Sequence, residues 1–251
     1  GQAECTHGTA TFVNVVAGHT PPDLDSLNVY HAWSLPTADS QSPISNFEHT
    51  YCLEADTTVT GAAVRWMLER GHFFENENEM DALAASVADS GGVIFVPAFT
   101  GLNVPYNDHF ARATIFGMTL GTDRAHLARA FLESIGFQVR AILDTIDAQT
   151  GLRVKQLSIG GGLSNSDMAC QIQSDLIGIP IMRPTESETT ARGAALLAGL
   201  GAGAWADIDA LPPLPAGSTV FEPRLSSDQR DAAYARWQRA VQHVRDIGEN
   251  I

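Results

Sequence analysis

Residues 154–178 hold the pattern that most restricts what this chain can fold into. VKQLSI at 154–159 has the β-branched, alternating character of a strand, Gly160-Gly161-Gly162 follow as a tight turn, and 165–178 carries a helical pattern. IPIMRP at 179–184 then reads as a second short strand. A strand, a crossover helix and another strand require at least one parallel pair in a sheet. Three consecutive glycines are costly in backbone entropy. Between a strand and a helix they let the backbone approach a phosphate or a flat ligand closely. The spacing is neither GxGxxG nor GxxxxGK[ST], so the Rossmann and P-loop readings both fail.

The rest of the 251 residues is read around this unit. Residues 6–16, THGTATFVNVV, predict a strand. So do 27–34 and 48–54, with polar Pro- and Ser-rich stretches at 19–26 and 35–46 between them. This opening third looks antiparallel. Helices are predicted over 57–70, with Thr or Asp as cap and Gly71 as stop, and over 78–89. GVIFVPAF at 92–99 suits a buried strand, and 100–117 reads as a long ordered loop. The longest helical pattern runs from Asp123 to about Thr150, with Leu127, Phe131, Ile135, Ile142 and Ile146 on one stripe. SETTARGAALLAGLGAG at 187–203 predicts a helix whose Ala194, Ala195, Ala198 and Gly199 allow close backbone approach. A Pro-rich loop at 211–225 precedes a last helix from Ser227, with Trp237, Val241 and Val244 facing inward. The fold class is α/β with an α+β opening.

Charge narrows the partners. Lys and Arg number 15 against 29 Asp and Glu, a formal net charge of −14. Such a surface repels nucleic acid and anionic membrane, while backbone N–H groups can still bind a small anion. Cys5, Cys52 and Cys170 lack any CxxC spacing and read as buried thiols in a reducing compartment. No apolar run approaches the roughly 20 residues of a membrane-spanning helix. The eight histidines form no HExxH or HxH, so metal ligation is not expected. GxSxG is absent as well. In the long loop, beside Tyr106, the charged pair Asp108 and Arg112 could hold the loop together or reach a neighbouring domain or substrate. Glu186 and Glu188 sit where carboxylates complement a helix N-terminus. The chain opens on Gly1, which suggests a piece of something longer.

Several segments in this order resemble the FGGY family of carbohydrate kinases. They are GQAECTHGTATF (1–12), TGAAVRWM (60–67), FVPAFTGLNVPYNDHFARATIFGMTLGT (95–122), LARAFLESIGFQVRAIL (127–143), IGGGLSNSDMACQIQSDLIG (159–178) and ETTARGAALLAGL (188–200). Within the family the likeness is nearest the branch acting on glycerol. The resemblance implies an actin-like ATPase, ribonuclease H-like domain with a mixed sheet flanked by helices. Residues 1–251 would be the C-terminal nucleotide-binding domain of an enzyme about twice as long, with 211–251 as its terminal loop and helix.

That resemblance also implies ATP and Mg²⁺ as cofactors, and ATP, glycerol or a related polyol or sugar, and the chain's own N-terminal domain as partners. A cytoplasmic location follows from it, and self-association stays open. Gly8 and Thr9 would contact the phosphates. Gly61 would lie at the nucleotide, with Arg65 where many relatives have Gln. Gly161, Gly162, Asn165 and Ser166 would form the adenine and ribose wall, Ser166 replacing a frequent Asn. Phe12 would pack on the carbon backbone of the substrate. The general base, an Asp in a G-D-Q segment, is expected upstream of Gly1, so no catalytic residue is expected in this chain. Two alternatives stand beside this reading: another substrate of the family, such as xylulose or a tetritol, and a non-catalytic nucleotide-binding module.

Overall fold

A computed structural model describes residues 2–24, 27–36, 47–186, 188–213 and 217–248. Its first feature corrects the reading of 6–16 as one strand. Ala3–His7 (β1) and Thr11–Gly18 (β2) are two antiparallel strands joined by a turn at Gly8, Thr9 and Ala10, closed by the Gly8 N–H donating to the Ala10 carbonyl at 2.9 Å. The turn leaves the alternation intact. His7 and Thr11 face each other across the hairpin on the same side, where positions 7 and 11 would also lie in an unbroken strand. The period-2 signal therefore cannot reveal the break.

Asn28–Pro36 (β3) and Phe47–Thr57 (β4) extend the antiparallel side. Of the polar stretches predicted between strands, 25–26 and 37–46 lie outside the described residues. Leu157–Gly161 (β7), Ile181–Pro184 (β8) and Ser218–Phe221 (β9) complete a seven-stranded sheet of order β3-β4-β2-β1-β7-β8-β9. β8 is parallel to β7, as the strand–glycine–helix unit requires, and β7 is also parallel to β1. β9 falls within 211–225, which was expected to be loop; residues 214–216 of that stretch lie outside the described ones.

Ile94–Val96 (β5) and Thr114–Phe116 (β6) pair in a separate two-stranded sheet, so 92–99 holds a shorter strand than predicted and the 100–117 loop contains one. The helices are Gly61–Glu69 (α1), Glu77–Ser86 (α2), Arg124–Thr150 (α3), Asp167–Ile177 (α4), Thr189–Gly201 (α5) and Ser227–Gly248 (α6). α3 starts at an Asp123 capping box with His126 and stops at Gly151 in the left-handed region (φ 72°).

Val139, Ile142 and Ile146 of α3 pack on Cys5, Val13, Val15, Leu53, Leu157 and Ile159 from the sheet's inner face. The same helix turns Phe131 and Ile135 into a second cluster with Met67, Phe95, Trp237 and Val241 from α1, β5 and α6. α5 buries no residue, although Gly199 admits the Trp205 ring. Ser187, its predicted first residue, is outside the described set. Glu188 sits at the α5 N-cap without a side-chain cap bond, and Glu186 accepts from the Glu188 N–H at 3.2 Å.

Candidate functional site

At one end of the sheet three backbone segments meet. The turn at Gly8–Ala10 abuts the start of α1: the Thr60 and Ala62 N–H groups donate to the Thr9 carbonyl at 2.9 and 3.1 Å, and the Gly61 N–H to the Gly8 carbonyl at 3.0 Å. A Cβ on Gly61 would come within 2.6 Å of that carbonyl oxygen, so glycine is what allows the approach. On the other side His7 lies in register with Gly161 of β7. Gly161 has φ 83°, and a Cβ there would collide with the His7 carbonyl. Two of the glycines picked from sequence thus act by letting connections close on the turn. Gly162, by contrast, is exposed and faces open space.

The structure therefore brings Gly8, Thr9, Gly61, Gly161 and Gly162 together. Thr9 is exposed, and its hydroxyl has no hydrogen-bond partner among the described residues. Asn165 is exposed at the end of the short 3-10 turn Gly162–Asn165. Arg65, one helical turn beyond Gly61, is exposed and forms no ion pair among the described residues. Ser166 is committed inside the domain. Its hydroxyl oxygen caps α4 by accepting the Ala169 N–H at 2.9 Å, and the Asp81 carboxyl of α2 lies close by. Burial raises the Asp81 pKa above the ordinary carboxylate value, and the nearby Ser166 hydroxyl opposes that shift. Phe12 stands on the outer face of β2, 39% exposed.

The loop pair Asp108 and Arg112 is not an ion pair. The Asp108 carboxylate accepts the Phe110 and Ala111 N–H groups and lies 3.4 Å from Arg245 of α6, while Arg112 donates to the His109 and Ala111 carbonyls. Two structural thiols behave as such: Cys5 and Cys170 are buried, and burial pushes the Cys170 thiol up to about 11. A concavity of about 960 Å³ lies elsewhere, over the sheet's outer face, with Glu4, Asn14, Trp33 and Cys52 in its lining. None of the converging glycines lines it. The candidate site is the turn, where an open hydroxyl and glycine-permitted approaches coincide.

Sequence reasoning missed what lies beneath the turn. The row Gly161–His7–Thr11–Thr57 crosses four strands one step beyond the apolar row Ile159–Cys5–Val13–Ala55. His7, Thr11, Thr57 and Thr60 are all buried. The imidazole Nδ1 is 2.6 Å from the Thr11 hydroxyl, and Nε2 is 2.8 Å from Oε1 of Gln173 on α4. Thr11 Oγ1 is 2.7 Å from Thr60 Oγ1, which is 3.2 Å from Thr57 Oγ1. Burial lowers the His7 pKa from 6.5 to about 4, so the ring is neutral near pH 7. The sequence signal was the polar His7–Thr11 pair at the end of otherwise apolar inward positions.

Residues 3–202 match the FGGY family of carbohydrate kinases, C-terminal domain. A glycerol kinase of Aromatoleum aromaticum is 41% identical over 98% of this chain and 48% of its own length. One from Saccharolobus islandicus is 37% identical over 97% of this chain and 47% of its own length. The chain thus spans about half the length of the curated relatives it matches. Among solved structures, a Plasmodium falciparum glycerol kinase with ADP superposes with a TM-score of 0.85 at 30% identity, covering 96% of this chain and 47% of the other. A ligand-bound xylulose kinase from Lactobacillus acidophilus shares the fold, with a TM-score of 0.74 at 20% identity over 98% of this chain and 47% of its own. The seven-stranded mixed sheet flanked by helices is the actin-like ATPase architecture of these kinases, and the chain belongs to the FGGY family of carbohydrate kinases, matching its C-terminal domain.

Proposed function

We propose that this chain is the nucleotide-binding half of an ATP-dependent kinase that phosphorylates a polyol hydroxyl, with glycerol as acceptor and glycerol 3-phosphate as product. The observation that carries the reading is the meeting of the Gly8–Ala10 turn with the start of α1 and with the Gly161–Asn165 connection. The whole of residues 1–251 serves as this half, with 211–251, beyond the family match, bracing it through α6.

Phosphoryl transfer needs positioning and charge neutralisation more than covalent chemistry. The exposed Thr9 hydroxyl donates to a phosphate oxygen of ATP, and Gly8 and Gly61 keep the surface clear of side chains around it. The open surface at Gly162, with Gly161 and Asn165 beside it, receives the base and ribose. Arg65 reaches toward the nucleotide from α1. Ser166 supports this wall through α4. Bound Mg²⁺ neutralises phosphate charge; among the described residues no group of three or more His, Cys, Asp or Glu is placed to hold a metal, so it would be held through the nucleotide. Phe12 packs on the acceptor's carbons from the outer face of β2. The proton of the attacking hydroxyl goes to a carboxylate in an upstream G-D-Q segment. Among the described residues no helix is long and apolar enough to cross a membrane, and we assign the enzyme to the cytoplasm.

The test is a substrate screen of the full-length protein with ATP and Mg²⁺, following ADP release. Glycerol-dependent release is expected. Strong turnover of xylulose or a tetritol with none on glycerol would replace the substrate. Nucleotide binding with no turnover on any polyol or sugar would leave a binding module instead.

A further inference from the structure

Among the described residues, one buried titratable side chain bonds β2 and α4 directly, reaches the start of α1 through Thr11, and is used by none of the chemistry above: His7. Its hydrogens follow from the orientation of the Gln173 amide. The amide oxygen faces the ring, and Gln173 Nε2 lies 3.8 Å from the Cys5 sulfur. The His7 Nε2–H then donates to Gln173 Oε1, and Nδ1 accepts the Thr11 hydroxyl proton. Thr11 Oγ1 in turn accepts from Thr60, Thr60 from Thr57, and Thr57 Oγ1 accepts the Thr11 N–H at 3.3 Å. Every hydroxyl donates once, and the relay is closed.

Its ends matter. Gln173 belongs to α4, which follows the Gly162–Asn165 wall; Thr11 opens β2 directly after the phosphate turn; Thr60 is the residue before α1 and Gly61. Thr60 occupies the α1 N-cap yet makes no side-chain cap bond, because its hydroxyl is spent on Thr11 and Thr57. An apolar row would fill this layer at lower desolvation cost, as the neighbouring row Cys5–Val13–Ala55 does. A directional network adds what apolar packing cannot: one fixed spacing between the elements it joins.

We propose that His7 is a positioning residue, whose bonds to Thr11 and Gln173 set the distance between the phosphate turn at Gly8–Ala10 and the nucleotide wall on α4. The inference rests on the kinase reading above. Misplacing a phosphate-binding group by a fraction of an ångström lowers turnover without removing any contact.

The experiment compares His7→Leu, Gln173→Leu and the double variant in the full-length protein, measuring melting temperature, kcat, and KM for ATP and glycerol. Each single variant strands a buried polar partner and loses stability. In the double variant the His7–Gln173 pair is apolar on both sides and only the Thr11 hydroxyl loses its acceptor, so stability recovers partway toward wild type. kcat is expected to stay at least about tenfold down in all three, with glycerol KM within about twofold. Thr60→Val and Thr60→Ser, milder changes at the far end of the relay, guard against misfolding: Val should lower kcat several-fold and Ser should restore it. Recovery of kcat together with melting temperature in the double variant would make the network merely structural and overturn the proposal. So would wild-type kcat in Thr60→Val. A wild-type protein that transfers no phosphate overturns the kinase reading itself, and this inference with it; an active wild type with unaffected variants overturns the inference alone.

Discussion

At the scale of single residues, the site is governed by one open hydroxyl and by glycines that admit a neighbour. Thr9 is exposed and unpartnered among the described residues, so in the proposed reading its loss removes a phosphate contact and little packing. Thr9→Ala in the full-length enzyme should lower kcat about 10- to 100-fold, the equivalent of a charge-assisted hydrogen bond of about 1.5–3 kcal/mol. A change confined to glycerol KM would count against the role. Gly161 combines φ 83° with contact against the His7 carbonyl. Gly161→Ala should cost about 2 kcal/mol or more in denaturant unfolding; a neutral effect would mean that the connection relaxes freely. His7 supplies a pH dependence. An unfolded histidine binds its proton near pH 6.5, whereas the buried ring resists until about pH 4. Stability is therefore flat above that window and falls as pH drops through it, by on the order of 3 kcal/mol. Cys5, the titratable neighbour at 3.6 Å, stays a thiol throughout, because burial pushes its pKa up. Urea titrations from pH 7 to 4 should show this slope in wild type and a shallower one in His7→Gln; identical slopes would reject it.

At the scale of elements, the sequence located helices better than strand ends. Asp123, Gly151 and the Phe131–Ile146 stripe fixed α3, since capping and helical period are local properties. The hairpin β1–β2 was hidden, because a three-residue turn between inward positions 7 and 11 preserves the alternation. β9 was hidden by its length of four residues inside Pro-rich sequence; its pairing with β8 defines it. Ser166 shows how an element can claim a residue expected at the ligand. Its oxygen caps α4 by accepting the Ala169 N–H. Ser166→Ala should cost about 1 kcal/mol of stability while leaving KM for ATP within about twofold. A large rise in that KM with an unchanged melting temperature would return Ser166 to the nucleotide.

At the scale of the whole molecule, the chain covers about half the length of the glycerol kinases it matches. If the acceptor's general base lies upstream, the isolated 251-residue chain should bind ATP weakly and release no ADP in response to glycerol. Appreciable glycerol-dependent release from the purified chain would refute the division of labour. The order of motifs along the chain determined the family and, with the strand–glycine–helix unit, the parallel half of the sheet. Those signals are local, so a linear reading holds them. Only the tertiary structure decided that Gly8, Gly61 and Gly161 meet at one point, because strand order β4-β2-β1-β7 is set by pairing between distant segments. It alone also placed Gln173 against His7, 166 positions away in sequence, in a layer where burial, opposed by the Gln173 bond, keeps the ring neutral.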